Sequence, residues 1–368
     1  MELVVRTVTR PELDKAVEVE EKAMKGYGYL RDVSELFLSD EVGPLLGAYK
    51  DGKELVGIAK YTVLADHTAW LETLRVAPEY QRQGVGRRLY EEFQKLSKEK
   101  GVESMAMYTG LKNIPSYSLA RVFGLDTAGR YREYQLDLAG VEMPADAGDF
   151  KPVGEDEAVE LLMALKEKYE GFVIFNRTFM RINEPVIRQL AKEGKVLRDE
   201  ATGSVMAFGN RFLEKRSVQI AMMGGDYDKC IAWAIKVGLE KGVPQVVTEV
   251  PLDDEALGQV FADHGFKAAA ELQVMSGPAC CCIEMASDGG GVLALVLAVS
   301  LGLRSPAPVP GSGDKILTAA GKPITRDELE EARRSARALW DLGAAQSGAG
   351  RPGTAGPDSP STSAGGEV

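Results

Sequence analysis

A glycine-bearing stretch, Gln81-Arg82-Gln83-Gly84-Val85-Gly86, separates an apolar run from a helical pattern that opens with Arg87 and Arg88. Glycine has no side chain, so backbone N–H groups at the start of this helix can approach a bound group closely. The helix N-terminus carries partial positive charge, and Arg82, Arg87 and Arg88 add full charges in the same place. The stretch therefore predicts a site for a phosphate-bearing cofactor. A tight turn into a helix is the structural alternative.

Other patterns for phosphate or metal binding do not fit. GVGRRL lacks the third glycine of the dinucleotide fingerprint, and the chain has no G-K-S or G-K-T string of a nucleotide P-loop. The 2 histidines, His67 and His264, are too few for a histidine-rich metal site. Three of the 4 cysteines are adjacent, at residues 280–282, a spacing that suits no zinc site. We predict no metal.

Length and composition indicate a globular protein of more than one part. The chain has 368 residues, of which 45% are hydrophobic and 27% charged, and this length predicts two domains or one with appendages. The net charge of −11 argues against a general nucleic-acid binder; it suits cationic partners and is also an ordinary solubility feature. The N-terminus does not resemble a signal peptide, and the longest apolar stretch, residues 292–303, is shorter than the ~20 residues of a membrane helix. We interpret the protein as cytoplasmic, with no membrane partner.

Strand and helix patterns alternate over the first 140 residues. A β-branched run leads into a helix in which Thr9 and Glu12 have capping-box spacing, and a second short helix follows. Three strand patterns come next, with a hairpin turn at KDGK, and then the helix at residues 87–100. A strand, a short helix ending at Gly124 and a closing strand complete the segment. This order predicts a mixed α/β fold in which an antiparallel meander turns parallel after the glycine stretch.

A similar order of elements recurs after a linker at residues 141–150 that carries Pro and Gly. We therefore predict two domains of like fold, residues 1–140 and 151–285, although their sequences are not obviously alike. Residues 286–368 are rich in small residues and Pro, which predicts a largely disordered, low-complexity tail. Within it, an amphipathic pattern predicts one helix, residues 325–342; a merely nascent helix is the alternative.

Two strings resemble motifs of one enzyme family. QRQGVG matches the Q/R-x-x-G-x-G/A signature of the GCN5-related N-acetyltransferases (GNAT), in its expected place between a strand and a helix. NIPSYSLARVFGL resembles the family's N-x-x-A-x-x-x-Y-x-x-x-G-F, with Asn113 at its start and Gly124 at its end. The resemblance spans residues 1 to about 140 and makes the chain similar to a tandem GNAT protein with a degenerate second domain. It implies two copies of the acyl-CoA N-acyltransferase fold and acetyl transfer from acetyl-CoA to a primary amine, by direct attack in a ternary complex.

The resemblance also implies which residues hold coenzyme A. The strand before the glycine stretch would pair with the pantetheine arm through its backbone, and the stretch itself would surround the pyrophosphate. The implied cofactor-binding residues are Leu74, Arg75, Val76, Gln81, Arg82, Gln83, Gly84, Val85, Gly86, Arg87 and Asn113.

Acetyl transfer to an amine needs a group that removes the amine's proton. A carboxylate, often acting through water, is the usual base for amines of pKa ~10. Glu72 is the candidate: it lies four residues before Val76, and strand alternation places both side chains on one side, opposite Leu71 and Thr73. An acidic residue without catalytic duty is the alternative.

The departing thiolate is commonly met in this family by a tyrosine seven residues after the asparagine, a position occupied here by Ala120. Tyr117 lies on the same helix face one turn earlier and is the candidate replacement, although a tyrosine that only packs is the alternative. The missing tyrosine keeps a second function open. The chain is either an N-acetyltransferase or a non-catalytic acyl-CoA-binding or scaffolding protein.

Acceptor selection is implied to fall to the loop between the first two helices. Tyr27 and Tyr29 are candidate walls for the acceptor, a small molecule or a protein amine; lid tyrosines are the alternative. In the second domain, MMGGDYDKCIAW replaces the glycine stretch, and Asp226 and Asp228 would repel a pyrophosphate. We expect that domain not to bind coenzyme A but to form one wall of the acceptor cleft or the face of a homodimer. A structural remnant is the alternative.

Overall fold

The structure is a computed structural model of the chain and describes residues 1–25, 28–40 and 43–279, with the backbone of two short strands beyond them. Met1–Cys282 form one compact unit and Ile283–Val368 a second. Within the second unit, Lys315–Leu317 pairs antiparallel with Pro323–Thr325. Most of the predicted low-complexity tail, with the helix predicted there, and residues 280–282 lie outside the described residues.

The first half of the compact unit follows the predicted order of elements. The capping box of Thr9 and Glu12 is confirmed and begins a single helical turn, Arg10–Glu12, that leads into the first α-helix. The strands are β1 (Leu3–Thr7), β2 (Leu45–Lys50), β3 (Glu54–Val63), β4 (Thr68–Val76), β5 (Ser104–Gly110) and β6 (Asp126–Asp137). The helices are α1 (Leu13–Met24), α2 (Leu30–Ser39), α3 (Val85–Glu99) and α4 (Ile114–Val122).

The second half repeats this order with one addition. Its strands are β7 (Phe150–Pro152), β8 (Phe172–Phe175), β9 (Thr178–Arg181), β10 (Val196–Asp199), β11 (Ser204–Gly209), β12 (Val218–Gly224), β13 (Gln245–Pro251) and β14 (Lys267–Pro278). The helices are α5 (Glu155–Ala164), α6 (Glu184–Lys192), α7 (Tyr227–Lys241) and α8 (Glu255–Asp263). The β8–β9 hairpin was not predicted from the sequence. Its turn places Asn176 and Arg177 at φ 50° and 58° without a glycine.

The two halves share one sheet because they exchange their last strands. The order of its 12 strands is β1-β2-β3-β4-β5-β14-β6-β13-β12-β11-β10-β7. Strand β14 of the second half pairs with β5, and β6 of the first half pairs with β13. A cut near residue 140 would therefore not separate two complete sheets. The domain boundaries given above remain a prediction about sequence segments.

Two layers of helices cover the sheet of the first half. Helix α3 buries Val85, Leu89 and Phe93, which pack with Leu71 of β4; we call this side the α3 face. Helices α1 and α2 pack on the opposite side around residues such as Ile58, and we call it the α1 face. The site described next is bordered by residues of both faces.

Candidate functional site

A cleft opens where β4 and β5 separate. The two strands run parallel but pair only where Thr68–Trp70 meets Ser104–Ala106. Beyond this point a cleft of about 1020 Å³ is lined by the ends of both strands, the glycine stretch and the start of α4. Because β5 no longer pairs with residues 71–76, their backbone groups on that edge are available to an extended ligand. This geometry suits the backbone pairing expected of Leu74, Arg75 and Val76.

The glycine stretch starts α3 at the mouth of the cleft. Helix α3 begins at Val85, two residues before the predicted start, with Gly84 as its N-cap at φ 85°. The N–H groups ahead of Arg88, which donates to the Gly84 carbonyl at 3.0 Å, have no acceptor within the helix. At Gly86 an added Cβ would lie 3.0 Å from the side chain of Leu119, so this position is also tightly packed. The stretch thus presents free N–H groups and helix-terminal positive charge to the cleft.

The long side chains of the glycine stretch divide into two kinds. The amide of Gln81 donates to the Val76 carbonyl at 3.1 Å, and that of Gln83 donates to the Glu79 carbonyl at 2.7 Å. Both side chains therefore bind the backbone just before the stretch. Arg82 is exposed at φ 60°, whereas Arg87 pairs with Glu91 of the same helix at 3.2 Å. Arg82 is therefore the freer of these two cations to meet a phosphate.

Strand β4 carries a β-bulge at Thr73. Ile58 of β3 stands opposite Arg75, and Lys60 stands opposite Glu72, so two residues of β4 face one residue of β3 between these pairs. Thr73 has φ 57°, in the left-handed region that few non-glycine residues adopt. Strained backbone of this kind clusters at ligand sites, so the bulge makes this part of β4 a candidate ligand site.

The bulge determines which β4 side chains lie on the α3 face and which lie on the α1 face. One extra residue shifts the in-and-out alternation by one position. Leu74 and Val76 consequently pack on the α3 face, while Glu72 and Arg75 belong to the α1 face, as their β3 partners do. The prediction that Glu72 shares the side of Val76 is wrong, because it assumed unbroken alternation.

Glu72 lines the cleft but is held by an arginine of the second half. Arg211 donates from Nη1 to one carboxylate oxygen and from Nη2 to the other, both at 2.9 Å, and Thr62 Oγ1 donates to Oε1 at 2.7 Å. The side chains of Glu72 and Arg211 are only 3% and 17% exposed. Arg211 also donates to Thr178 Oγ1 at 2.7 Å. Such an arrangement holds the carboxylate in one position, and a proton can reach it through a bridging water.

Tyr29 contacts the bulge at Thr73 and is not an exposed wall of an acceptor site. Its hydroxyl shares a hydrogen bond of 2.6 Å with Thr73 Oγ1, and its ring stacks on Phe212 of the second half with centroids 5.9 Å apart. Burial, reinforced by the nearby charge of Glu72, raises the pKa of Tyr29 well above its usual range. The other candidate of this loop, Tyr27, lies outside the described residues.

Of the three motif positions considered on α4, Asn113 lines the cleft, whereas Tyr117 and Ala120 do not. Asn113 lines the cleft and caps α4 by accepting a hydrogen bond from the Ser116 N–H at 3.3 Å. Tyr117 packs against the core of the α3 face and is not among the residues that line the cleft. Ala120 is fully buried. The role of Tyr117 as a general acid stays a hypothesis without support from this geometry.

Three residues of the site escaped the sequence analysis. Tyr108 of β5 lines the cleft, held by stacking on Trp70 with centroids 6.3 Å apart. Arg177, at the tip of the β8–β9 hairpin, and Arg211 reach the site from the second half. The apolar runs FVIF and TFM around Asn-Arg were a usable hairpin signal for Arg177. Nothing in the sequence around Arg211 indicated its partner.

Orphaned polar atoms fit an extended cofactor in the cleft. Thr109 is 4% exposed, and its hydroxyl has no hydrogen-bond partner among the described residues. A buried hydroxyl without a partner is unfavourable, so a ligand that bonds to it gains affinity. The free edge of β4 and the N–H groups at Gly84 add further donors in the same cleft. Within the described ranges, no group of three or more His, Cys, Asp or Glu residues could hold a metal.

The equivalent opening of the second half is filled by the chain itself. Strands β12 and β13 pair only where Val218–Ile220 meets Val246–Thr248. Beyond this point the Tyr169 hydroxyl accepts from the Met223 N–H at 2.9 Å and donates to the Met223 carbonyl at 3.0 Å. Asp226 caps the following helix, which places a carboxylate where the first half has Gly84. This is a physical reason to expect no coenzyme in the second half.

The fold and the cleft define the class of protein. Residues 11–125 match the model of the acetyltransferase (GNAT) family. Residues 11–125 form a GNAT domain, and the prediction of a tandem GNAT fold is confirmed. Acyl transfer is the activity that this family match supports. No curated protein sequence is significantly similar to the chain. In the described ranges, no helix is both long and apolar enough to cross a membrane.

Solved structures resemble most of the described chain. A proposed acetyltransferase from Pyrococcus horikoshii is 16% identical, with a TM-score of 0.51, over 75% of this chain and 89% of that one. A tandem GNAT protein of the clavulanic acid biosynthesis pathway, solved without acetyl-CoA, is 14% identical, with a TM-score of 0.49, over 76% of this chain and 99% of that one. At such identities the Pyrococcus structure supports the fold and says nothing of the substrate.

Proposed function

We propose that the protein is an acetyl-CoA-dependent N-acetyltransferase that acts on a primary amine of a small molecule or a protein. The observation that carries this proposal is the meeting of three features in one cleft. The free N–H groups at Gly84, the unpaired edge of β4 and the carboxylate of Glu72 all border it. An acyl-CoA needs the first two, and an amine acceptor needs a proton acceptor such as the third.

The chain's own residues would bind the coenzyme in two ways. The pyrophosphate meets the start of α3, where N–H groups and Arg82 supply positive charge. The pantetheine arm pairs with residues 74–76 along the edge that β5 leaves free. When bound, acetyl-CoA supplies the activated acetyl group. Holding it beside the amine would supply much of the rate, because aminolysis of a thioester is limited mainly by proximity and proton removal.

Proton removal falls to Glu72, acting through water. Its oxygens are engaged by Arg211 and Thr62, so the carboxylate is fixed at the cleft wall and cannot swing toward the substrate. The balanced step removes one proton from the attacking amine and ends with one proton on the departing sulfur. Water relays the proton of the amine to the carboxylate, because the carboxylate itself is fixed by Arg211 and Thr62.

Tyr108 is better placed than Tyr117 to protonate the thiolate. It lines the cleft on the strand opposite β4, and its ring packs against those of Trp70 and Phe179, with centroids 6.3 and 6.2 Å away. Although burial opposes its charge, the hydrogen bonds that Arg177 donates to Glu133 and its interaction with the neighbouring Tyr108 raise the pKa of Arg177 above its usual value. The charged guanidinium of Arg177 therefore lies beside the Tyr108 phenol at the wall of the cleft.

The second half would serve as one wall of the acceptor cleft. It supplies Arg211 to Glu72, Phe212 to Tyr29 and Arg177 to the cleft lining. Asn176 fixes this wall, since its side-chain oxygen accepts from the backbone N–H groups of Arg211 and Phe212 at 2.8 and 3.1 Å. These contacts favour a cleft wall over a structural remnant.

The test is acetyl transfer by the full chain. We would incubate it with acetyl-CoA and a panel of primary amines, following thiol release and the mass of each product. Amine-dependent thiol release with a product heavier by one acetyl group supports the proposal. The alternative, a non-catalytic acyl-CoA-binding protein, is favoured by Ala120 and by the engaged oxygens of Glu72. Tight binding of acetyl-CoA without transfer to any amine would decide for that alternative.

A further inference from the structure

The acceptor must approach the thioester from the α1 face. The glycine stretch and α3 occupy the other face, where Leu74 and Val76 also pack. The part of the cleft lining on or beside the α1 face comprises Ala23, Met24, Glu72, Arg75, Tyr108 and Arg177. The charges of these residues therefore select the acceptor.

Among the described residues that line the cleft, no carboxylate is free to receive a second positive charge. These residues include two carboxylates, Glu72 and Glu271. Glu72 is paired with Arg211 on both oxygens, and Glu271 is paired with Arg132 at 2.9 Å. A polycationic acceptor would thus find no unpaired carboxylate in this lining, although the chain as a whole is acidic. The net charge of the chain is therefore a poor guide to the charge of the acceptor, because the carboxylates in the cleft are already ion-paired.

Arg177 is held with part of its guanidinium available. It donates from Nε and Nη2 to the two oxygens of Glu133 at 2.6 and 2.8 Å. Glu133 is almost fully buried, so this bidentate pair fixes the arginine at the cleft wall. The Tyr108 hydroxyl also lies within hydrogen-bonding reach of this guanidinium, and the Arg177 side chain remains 39% exposed, so it can still donate to a ligand.

Arg75 has no carboxylate partner among the described residues. Its Nη1 donates to the neighbouring Leu74 carbonyl at 3.0 Å, while its Nε is buried without a hydrogen-bond partner in the described chain. A half-buried guanidinium that lacks an anion is costly, and a ligand anion offsets that cost. The bulge places this side chain on the face opposite Leu74 and Val76, away from the expected pyrophosphate position.

We infer that the acceptor is a primary amine that also carries an anionic group, which Arg75 binds with the help of Arg177. This inference rests on the proposed acetyltransferase function. Carboxylate and phosphate both match the fork of a guanidinium, so amino acids and phosphorylated amines share the required chemistry. The anionic group anchors the acceptor, and the amine then lies toward Glu72 on the same face of β4.

The experiment compares matched acceptors with the full chain. Each pair differs in the anionic group: β-alanine with ethylamine, phenylalanine with phenethylamine, and O-phosphoethanolamine with ethanolamine. We expect kcat/KM to favour the anionic member of at least one pair by tenfold or more, and the pair concerned separates carboxylate from phosphate. Preference for the uncharged-tail amines, or for spermidine, would overturn the inference.

Two variants locate the anion site. Arg75→Gln leaves no buried carboxylate behind, and we expect it to lower kcat/KM for the preferred anionic amine by about ten- to a hundredfold, the loss of a charge-assisted hydrogen bond. The ratio of kcat/KM between the anionic amine and its matched neutral-tail amine should fall by the same factor. Arg82→Gln is the control: it should raise the KM for acetyl-CoA and keep the ratio between paired acceptors. An unchanged ratio in Arg75→Gln would contradict the assignment.

Binding separates failure of this inference from failure of the proposed function. Calorimetric titration of the same amines into the full chain saturated with coenzyme A requires no turnover. Binding of an anionic amine that Arg75→Gln abolishes supports the anion site even when no amine is acetylated. Absence of binding by every anionic amine would overturn the inference while leaving acetyl transfer to other amines intact.

Discussion

Glu72 and Arg211, 139 residues apart in the chain, form a bidentate ion pair with both N–O distances at 2.9 Å. The carboxylate comes from β4 of the first half and the guanidinium from the loop after β11 of the second. Beside it, Phe212 stacks on Tyr29, whose hydroxyl holds the bulge at Thr73. The second half is thus joined to the strand that carries the proposed catalytic base.

Single changes in this pair should cost stability and activity in different ways. Glu72→Gln and Arg211→Gln each leave a buried charge without its partner, which costs about 3–5 kcal/mol of folding free energy. The double variant removes both charges and should recover most of that loss in urea denaturation. Its kcat should nevertheless stay at least a hundredfold below that of the unmodified chain, because the base is missing. A double variant with restored turnover would exclude Glu72 as the base.

Tyr108 and Tyr117 form a matched pair of tyrosines. Tyr108→Phe should lower kcat at least tenfold and leave the affinity for acetyl-CoA nearly unchanged, since it removes a proton donor from the cleft. Tyr117→Phe should change kcat less than twofold, because that side chain packs against the α3-face core. Steady-state kinetics and a titration of each variant measure both values. The opposite ranking would restore Tyr117 as the general acid.

Glu249 should make stability depend on pH. Burial, with the nearby charge of Glu133, raises the pKa of Glu249 well above its ordinary value of 4.5. The folded state then holds a proton that the unfolded state releases above that value. The stability associated with this proton is fully present below pH ~4.5 and is lost as the pH rises toward the folded-state pKa, by at most about 1.4 kcal/mol per pH unit.

The variant Glu249→Gln mimics the protonated form and keeps an acceptor for the Gln219 amide. It should therefore stabilise the protein more at pH 8 than at pH 5, as thermal unfolding at the two pH values will measure. An equal effect at both values would mean that Glu249 is not protonated in the folded protein.

Strand exchange predicts that the first half does not fold alone. Residues 1–140 lack β14, which lies between β5 and β6, so both strands would be left with an open edge. Open edges pair with other chains. We expect this fragment to aggregate or to lack a cooperative thermal transition, as gel filtration and circular dichroism can show. A stable monomer that binds acetyl-CoA would contradict the importance of the exchange.

Local features of the first half were predictable from its sequence. Capping boxes, hairpin turns and the helix after Gly84 depend on a few neighbouring residues, and each leaves a recognisable pattern. The bulge at Thr73 was not predictable, because Thr has no preference for φ 57° and the strain is sustained by its tertiary surroundings, including Tyr29. One missed bulge reversed the face assigned to Glu72.

The pairing of strands that are distant in the chain was also not predictable from the sequence. The exchange of β6 and β14 follows from contacts between strands more than 100 residues apart, and strand patterns do not encode which partner a strand will choose. For the same reason, Arg177 and Arg211 could not be placed at the cleft, although the β8–β9 hairpin itself left a readable signal.

Calorimetric titration of acetyl-CoA into the full chain tests whether the glycine stretch binds the coenzyme. We predict micromolar binding to the unmodified chain, at least a tenfold loss in Arg82→Glu, and no binding in Gly86→Asp, which places a carboxylate at the start of α3. Arg82 is exposed and makes no ion pair in the described chain, so its reversal should leave thermal unfolding unchanged. Equal binding by all three proteins, or none by the unmodified chain, would contradict the claim.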